Sequence, residues 1–459
     1  MFLEAIRSEG LSHLSYIIGN GRQAAVIDPR RDCGIYVDIA HRNGARITSI
    51  FETHRNEDYV IGSQELARRT GAAIYHGKAL SFAYGNPVSE GDRFDLGGLI
   101  LSVLETPGHT YESISIAVQD PAFSDEAVGV FTGDALFVGD VGRTDFFPEE
   151  QEKMAGLLYD SIFQKLLPLG DHVILYPAHG AGSVCGGGIA AREFSTLGYE
   201  RRHNPALQCT DRAAFVARKA GERHYRTPYF RKMEQLNLHG NAPEMPSVPQ
   251  PAPMSVTAFA EAMSDGMVAI DVRSPEGFAG AFIPGSIAMP LDMVPAYAGW
   301  FLTYGEPIGI VASTGAYGQV ETAARYLIRL GFDTITGSLE GGLRDWETSA
   351  RHFDRIPTVH VEVLRKRIAE NDDFTLLDVR AEEEFEKKHL RGALHMYLGD
   401  VPHRLDEIPR DRPVITFCGS GRRAIIAASL LKRSGFTDVS NCLGSMSACA
   451  ATDCPFASA

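Results

Sequence analysis

The sequence predicts a multidomain α/β protein, and three observations predict it. At 459 residues and about 150 residues per domain, the chain holds roughly three domains. Its apolar runs are short and alternate with helix-patterned segments, as in sheets covered by helices. Its C-terminal part contains one α/β unit twice. Composition agrees: 44% hydrophobic and 22% charged residues suit packed cores and exclude collagen-like, coiled-coil and disordered classes. A net charge of −14 without a basic block excludes nucleic-acid and anionic-membrane partners, which need clustered Lys and Arg. No apolar run reaches the roughly 20 residues that span a bilayer. The N-terminus lacks the basic start, apolar core and cleavage site of a signal peptide, so a cytoplasmic protein is expected. Seven cysteines, an odd number scattered along the chain, argue for reduced thiols rather than a disulfide framework.

In the first 240 residues the expected strands are AAVID, ITSIFET, LILSVLET, VGVFTGD and HVILYPA. The segment EEQEKMAGLLYDSIFQKLLPLG repeats Met154, Leu158, Ile162 and Leu166 at helical spacing, a buried core face. From Gly240 to Val256 the chain carries Pro243, Pro246, Pro249, Pro251 and Pro253. Proline at that density continues neither a helix nor a central strand, so this is a semi-rigid extended linker. Beyond it, AIDVRSPEGF and LLDVRAEEEF share an apolar strand ending in Asp-Val-Arg, and YLIRLGF and LLKRSGF share a helix end. The two copies lie about 105 residues apart, a duplication rather than a solenoid. The expected organisation is residues 1–240, a linker over 241–256, a first repeat over 257–350 and a second over 358–459.

Four strands of the first region run into a ligand-type residue: His54, His109, Asp134 and His179. Side chains just past strand ends converge on one edge of an α/β sheet, where ligands bind. One such histidine reads as a cap or strand-end residue; four at equivalent positions, with Gly108 and Gly133 beside two of them, read as a divalent first-row metal site.

This region resembles the metallo-β-lactamase superfamily, through YIIGNGRQAAVIDP, ETH, ETPGHT, TGDALF, GRTDF and YPAH. The resemblance implies an αββα sandwich. The family signature H-x-H-x-D-H serves two metal ions, but here Asn56 and Tyr59 stand at its second and last histidines. An amide and a phenol are poor substitutes for imidazoles in a two-metal hydrolase. What stays complete is His54, His109 and Asp134, a 2-His-1-carboxylate set that suits non-haem Fe(II) with open positions. The persulfide dioxygenase branch is the most similar, through Gly133–Phe146. It implies one Fe(II) per chain, zinc or manganese being compatible with the same ligands. It also implies that Arg143 and Asp145 support the site, a salt-bridged loop being the alternative. Asp58, Tyr59 and His179 become outer partners that orient ligand or substrate. Cys185, six residues beyond His179, is a candidate substrate contact; Cys33 and Cys209 are expected to be inert.

In the second repeat, VITFCGSGRR runs from an apolar strand into Cys418, then Arg422 and Arg423 at a helix start. Backbone N–H groups and a helix N-terminus there favour a thiolate, and the arginines favour an anionic substrate. The string resembles the C-x-x-G-x-R loop of rhodaneses, which implies a catalytic sulfur carrier. Aligned through the shared Gly-Phe ends, the first repeat has Thr314 opposite Cys418, and Gly318 and Gln319 opposite the arginines, so it is expected to be a degenerate rhodanese. Cys449 takes the place of Trp346, a packing role, and Cys442 and Cys454 receive none.

The domain order resembles bacterial persulfide dioxygenase–rhodanese fusions. It implies oxidation of a low-molecular-weight thiol persulfide by O2 to sulfite at iron. Sulfane-sulfur transfer by Cys418 would produce or consume thiosulfate, in sulfide detoxification by a homo-oligomer. Fusion of both activities raises the effective concentration of a shared intermediate. Two alternatives stand beside it. A zinc thioester or lactone hydrolase of the glyoxalase II type predicts two metal equivalents and turnover without oxygen. A non-catalytic sulfur-relay scaffold predicts substoichiometric metal and no oxygen consumption.

Overall fold

A computed structural model describes residues 1–183 and 186–457. The chain divides into two compact units, residues 1–248 with 328–331, and residues 249–327 with 332–459.

The first unit contains two six-stranded sheets. One is β1 (Phe2–Ser8), β2 (His13–Asn20), β3 (Gln23–Ile27), β4 (Arg46–Glu52), β5 (Ala73–Gly77) and β6 (Asn86–Val88), in that spatial order. The other is β7 (Arg93–Leu96), β8 (Leu99–Glu105), β9 (Ile114–Gln119), β10 (Ala127–Gly133), β11 (Ile174–Pro177) and β12 (Ser195–Thr196). Residues facing inward from both sheets, among them Ile18, Ile27, Phe51, Leu101, Val103, Ile116 and Phe131, form one buried core. The outer face of the first sheet packs on helices Gly34–Arg42 and Ser63–Thr70 through Tyr36, Ile39 and Leu66. The outer face of the second packs on helix Gln151–Asp160 and the turns after it. This is the expected αββα sandwich. Met154, Leu158, Ile162 and Leu166 are all buried, although the helix widens to π geometry over Ser161–Leu166 and tightens to 3-10 over Leu167–Leu169.

The second unit holds two five-stranded sheets of identical order. The first consists of β13 (Pro253–Met254), β14 (Val268–Asp271), β15 (Ile287–Ala288), β16 (Ile308–Val311) and β17 (Ile335–Leu339), paired in parallel. The second repeats it with β18 (Thr358–Val359), β19 (Thr375–Asp378), β20 (Leu394–His395), β21 (Val414–Phe417) and β22 (Val439–Cys442). The proline-rich segment thus contributes an edge strand, where a missing N–H need not cost a ladder hydrogen bond. The shared Asp-Val-Arg string acquires a physical reason. Arg273 Nε and Nη2 donate to the two oxygens of Asp271 at 2.8 and 2.6 Å, and Arg380 does the same to Asp378 at 2.9 and 2.6 Å. Each guanidinium then donates onward to a backbone carbonyl, of Ala281 or Lys388. Both buried carboxylates are thereby satisfied by a bidentate partner.

Two expectations need correction. The strand pairs Asp271–Val311 and Asp378–Phe417 make Ala312, not Thr314, the residue in Cys418's place. The first repeat has a loop and a helix each one residue longer, Tyr317–Arg329 against Arg422–Arg433, so an alignment drawn back from the helix end slips by two. Cys449 and Cys454 are joined in a disulfide with Cα atoms 5.4 Å apart. The chain doubles back after helix Ser445–Cys449, with Thr452 N–H donating to the Cys449 carbonyl, and no spacing rule for frameworks anticipates so local a pair. Among the described residues, no helix is long and apolar enough to cross a membrane.

Candidate functional site

His54 and Asp134 lie just past β4 and β10, and His109 lies in the turn between β8 and β9. The fold brings them together with a residue that the sequence reading passed over, Glu57. One ligand atom from each of the four falls within 4.8 Å of all the others. His54 Nε2 is 3.8 Å and His109 Nε2 3.5 Å from Asp134 Oδ2, while Glu57 Oε1 is 3.1 Å from His109 Nε2. All four side chains are buried. The signal for Glu57 was present in the string, since a carboxylate three residues after a ligand histidine in a tight turn returns to the same centre.

The imidazoles carry their protons away from this centre. Thr53 Oγ1 donates to Asp28 Oδ2 at 2.7 Å, so at 2.9 Å from His54 Nδ1 it accepts, which places the His54 proton on Nδ1. His109 Nδ1 is 3.1 Å from the Arg143 carbonyl, which only accepts, so Nδ1 donates there too. Both Nε2 lone pairs therefore face inward. His54 Nε2, His109 Nε2 and Asp134 Oδ2 are buried without a hydrogen-bond partner. Buried polar atoms are almost always paired. Three orphans converging with a second carboxylate fit a metal ion. Gly133 makes the close approach work: its φ is +53°, and a Cβ there would meet Thr53 Oγ1 at 2.5 Å.

Of the outer candidates, His179 bonds Asp134 Oδ1 at 2.8 Å and Asp58 Oδ2 at 3.0 Å. Burial disfavours its cation, but these two carboxylates hold its pKa well above the ordinary imidazole value. His179 thus orients Asp134 rather than joining the cluster. Tyr59 turns toward Asp28, and its ring lies tilted against His13 with centroids 4.1 Å apart. The Asn56 amide donates to the His54 carbonyl. Arg143 pairs with Asp145, its Nε and Nη2 each donating at 2.6 Å, and this fixes the segment whose carbonyl orients His109. Although burial pushes the Asp145 carboxyl up, Arg143 holds it below its usual range. Cys185 lies outside the described residues.

Removing the Thr53 acceptor tests this arrangement. Thr53→Val leaves His54 without its Nδ1 partner, and metal affinity is expected to fall about 10–100-fold, as for other outer-partner losses. Chelator competition on the folded protein measures it.

In the second unit, Cys418 is buried at the end of β21, and Gly421 N–H donates to its Sγ at 3.1 Å. The Cys418 N–H donates to Ser445 Oγ, and the Met446 N–H to the Cys418 carbonyl. Helix Arg422–Arg433 starts immediately after the loop. Arg423 makes a bidentate pair with Glu384 at 2.6 and 2.8 Å and reaches Tyr297 of the first repeat. Arg422 pairs with Asp292, also of the first repeat. The repeat without a thiol therefore borders the loop of the repeat that has one. Because Asp292 competes with an incoming anion for Arg422, Asp292→Asn is expected to lower the KM for thiosulfate about two- to fivefold, the range of an exposed pair, with kcat unchanged in a steady-state assay. Burial pushes the Cys33 and Cys442 thiols up to about 11 each.

Two sheets closed face to face between helices, with ligands gathered at one edge, define the metallo-β-lactamase type, and the twinned parallel sheets define rhodanese-type modules. Residues 9–179 match the metallo-beta-lactamase superfamily, and residues 255–349 and 360–452 match the rhodanese-like domain. A crystal structure of a metallo-beta-lactamase from Staphylococcus aureus is 31% identical and covers 74% of this chain and 99% of that one, with a TM-score of 0.65. The chain belongs to the metallo-beta-lactamase superfamily and carries two rhodanese-like domains. The persulfide dioxygenase ETHE1 of Bos taurus is 29% identical over 201 residues, 42% of this chain and 70% of that protein. The hydroxyacylglutathione hydrolase GloC of Haemophilus influenzae is 28% identical over 215 residues, 42% of this chain and 91% of that protein. Identity does not separate oxygenase from hydrolase; the site has to.

Proposed function

We propose that the chain is a persulfide dioxygenase joined to a sulfurtransferase. The observation that carries this is the single inward-facing donor set, combined with the fate of the residues a second ion would need. The Asn56 amide N–H donates to a backbone carbonyl, the Tyr59 hydroxyl points to Asp28, and His179 is held between two carboxylates. A one-metal centre lacks the bridged pair on which binuclear hydrolysis depends, and the relationship to ETHE1 supplies the substrate class.

His54, His109, Asp134 and Glu57 would hold one ferrous ion. When bound, that ion supplies the redox chemistry that lets dioxygen react with sulfur, with positions left open for both. The protein's part is to orient and to exclude water. Thr53 and the Arg143 carbonyl keep both imidazoles in the ligating tautomer, His179 keeps Asp134 turned inward, and the buried surroundings exclude bulk solvent. The overall change is R–S–SH + O2 + H2O giving R–SH, sulfite and two protons, with the outer sulfur oxidised and dioxygen reduced. Cys418 thiolate then takes the outer sulfur of a further persulfide, releasing R–SH. Its own persulfide transfers that sulfur to sulfite, giving thiosulfate and restoring the thiolate, and the reverse reaction consumes thiosulfate. Sulfide detoxification is the role these two reactions serve together. Oxygen-electrode assays on iron-loaded protein with a thiol persulfide, alongside metal analysis, test the proposal. One metal equivalent and oxygen uptake are expected, whereas two equivalents with oxygen-independent thioester turnover would overturn it.

A further inference from the structure

We propose that a cavity of about 500 Å³ beside the metal cluster binds the anionic end, carboxylate or phosphate, of the thiol that carries the persulfide, through Arg226 and Arg231. The proposal rests on the persulfide reading above and adds the side chains that select its carrier.

The cavity is bounded by Phe146, Arg226, Phe230, Arg231 and Glu234, together with Thr227 and Pro228. It shares a wall with the metal cluster. The Phe146 ring stands edge-on to His109 with centroids 5.0 Å apart. Arg55, which directly follows His54, pairs with Glu234 at 3.2 Å. The Arg143 guanidinium lies over both phenyl rings, 4.9 Å from Phe146 and 5.9 Å from Phe230. A sulfur atom and dioxygen alone need far less space; this volume falls in the range of pockets that enclose a whole small molecule, roughly 300–1,000 Å³.

Its charge selects the molecule. Glu234 is the one carboxylate lining the cavity, and Arg55, paired with it at 3.2 Å, and Arg226 both act on it. Arg226 donates to the uncharged Asp145 carbonyl, and Arg231 forms no ion pair among the described residues. In a chain of net charge −14, three arginines, Arg55, Arg226 and Arg231, around the single lining carboxylate of Glu234 are a local inversion of sign. Such a mouth attracts anions and presents guanidinium forks matched to carboxylate or phosphate oxygens. A carrier with its anionic end on Arg226 and Arg231 can lay its stem on Phe146 and Phe230, which directs its sulfur end toward His109.

The test uses metal-loaded full-length protein and two unreactive probes, S-methylglutathione for the carboxylate source and S-methyl-coenzyme A for the phosphate source, titrated by calorimetry. At least one should bind the unaltered protein. The double variant Arg226→Gln/Arg231→Gln should weaken that probe about tenfold or more, and Arg226→Lys/Arg231→Lys should restore part of the loss. The KM for the uncharged N-acetylcysteamine persulfide should stay unchanged. Equal affinity of the Gln variant for the bound probe, or no binding of either probe to the unaltered protein at millimolar concentration, would overturn the cavity assignment. Arginine-dependent probe binding without oxygen uptake would leave the assignment standing and remove the dioxygenase reading instead.

Discussion

Asp134→Ala protein is expected to purify almost free of metal and to consume no dioxygen with a persulfide, a loss of about 10³-fold or more, equivalent to at least ~4 kcal/mol of barrier. Asp134 is the residue on which the cluster turns. Its Oδ2 faces both Nε2 atoms, and its Oδ1 accepts from His179. Burial alone would push its carboxyl up, yet His179, His54 and His109 hold it far below the usual carboxylate range. Removing it takes one donor from the ion and leaves His179 paired with Asp58 alone among the described carboxylates. Elemental analysis and an oxygen electrode read the outcome directly, and circular dichroism separates metal loss from unfolding. Retention of a full metal equivalent would mean that the ion is held elsewhere.

Cys418→Ser protein is expected to lose sulfur transfer by about 10³-fold or more, because a hydroxyl neither forms nor carries a persulfide. Oxygen uptake by the same protein should be unchanged, since Cys418 belongs to a separate domain and a separate step. The substitution is nearly isosteric, and the Gly421 N–H that donates to Sγ can donate to a serine oxygen, so the loop should survive. Thiosulfate formation from persulfide and sulfite is the assay. Undiminished transfer by the serine variant would remove Cys418 from the chemistry.

How much of this was legible beforehand differs from residue to residue. His54, His109 and Asp134 were readable because each follows an apolar strand, and strand ends in such sheets share an edge. Glu57 escaped the pattern because it is not one of the positions the family signature H-x-H-x-D-H marks, which here are Asn56, Asp58 and Tyr59 after His54. Thr53 carried no signal, since its role depends on which way a hydroxyl donates once Asp28 is beneath it. The duplication was legible from Asp-Val-Arg alone, but the bidentate pairs that explain it were not. The residue opposite Cys418 was misplaced by two positions because an extra residue in the loop and another in the helix are invisible until strand register fixes the alignment. The Cys449–Cys454 bond depended on a local chain reversal that composition does not encode.

By itself, then, the amino-acid order determined the layered α/β architecture, the repeat and the candidate ligands, because short-range patterning of apolar, turn and strand-end residues dictates which elements form. Only the tertiary structure decided that His179 orients Asp134, that the Asn56 amide donates to a backbone carbonyl and Tyr59 reaches toward Asp28, that Asp292 and Tyr297 border the Cys418 loop, and that two arginines stand at a cavity beside His109. Those are matters of distance and direction between segments far apart in the chain, and they exist only once the sheets have packed.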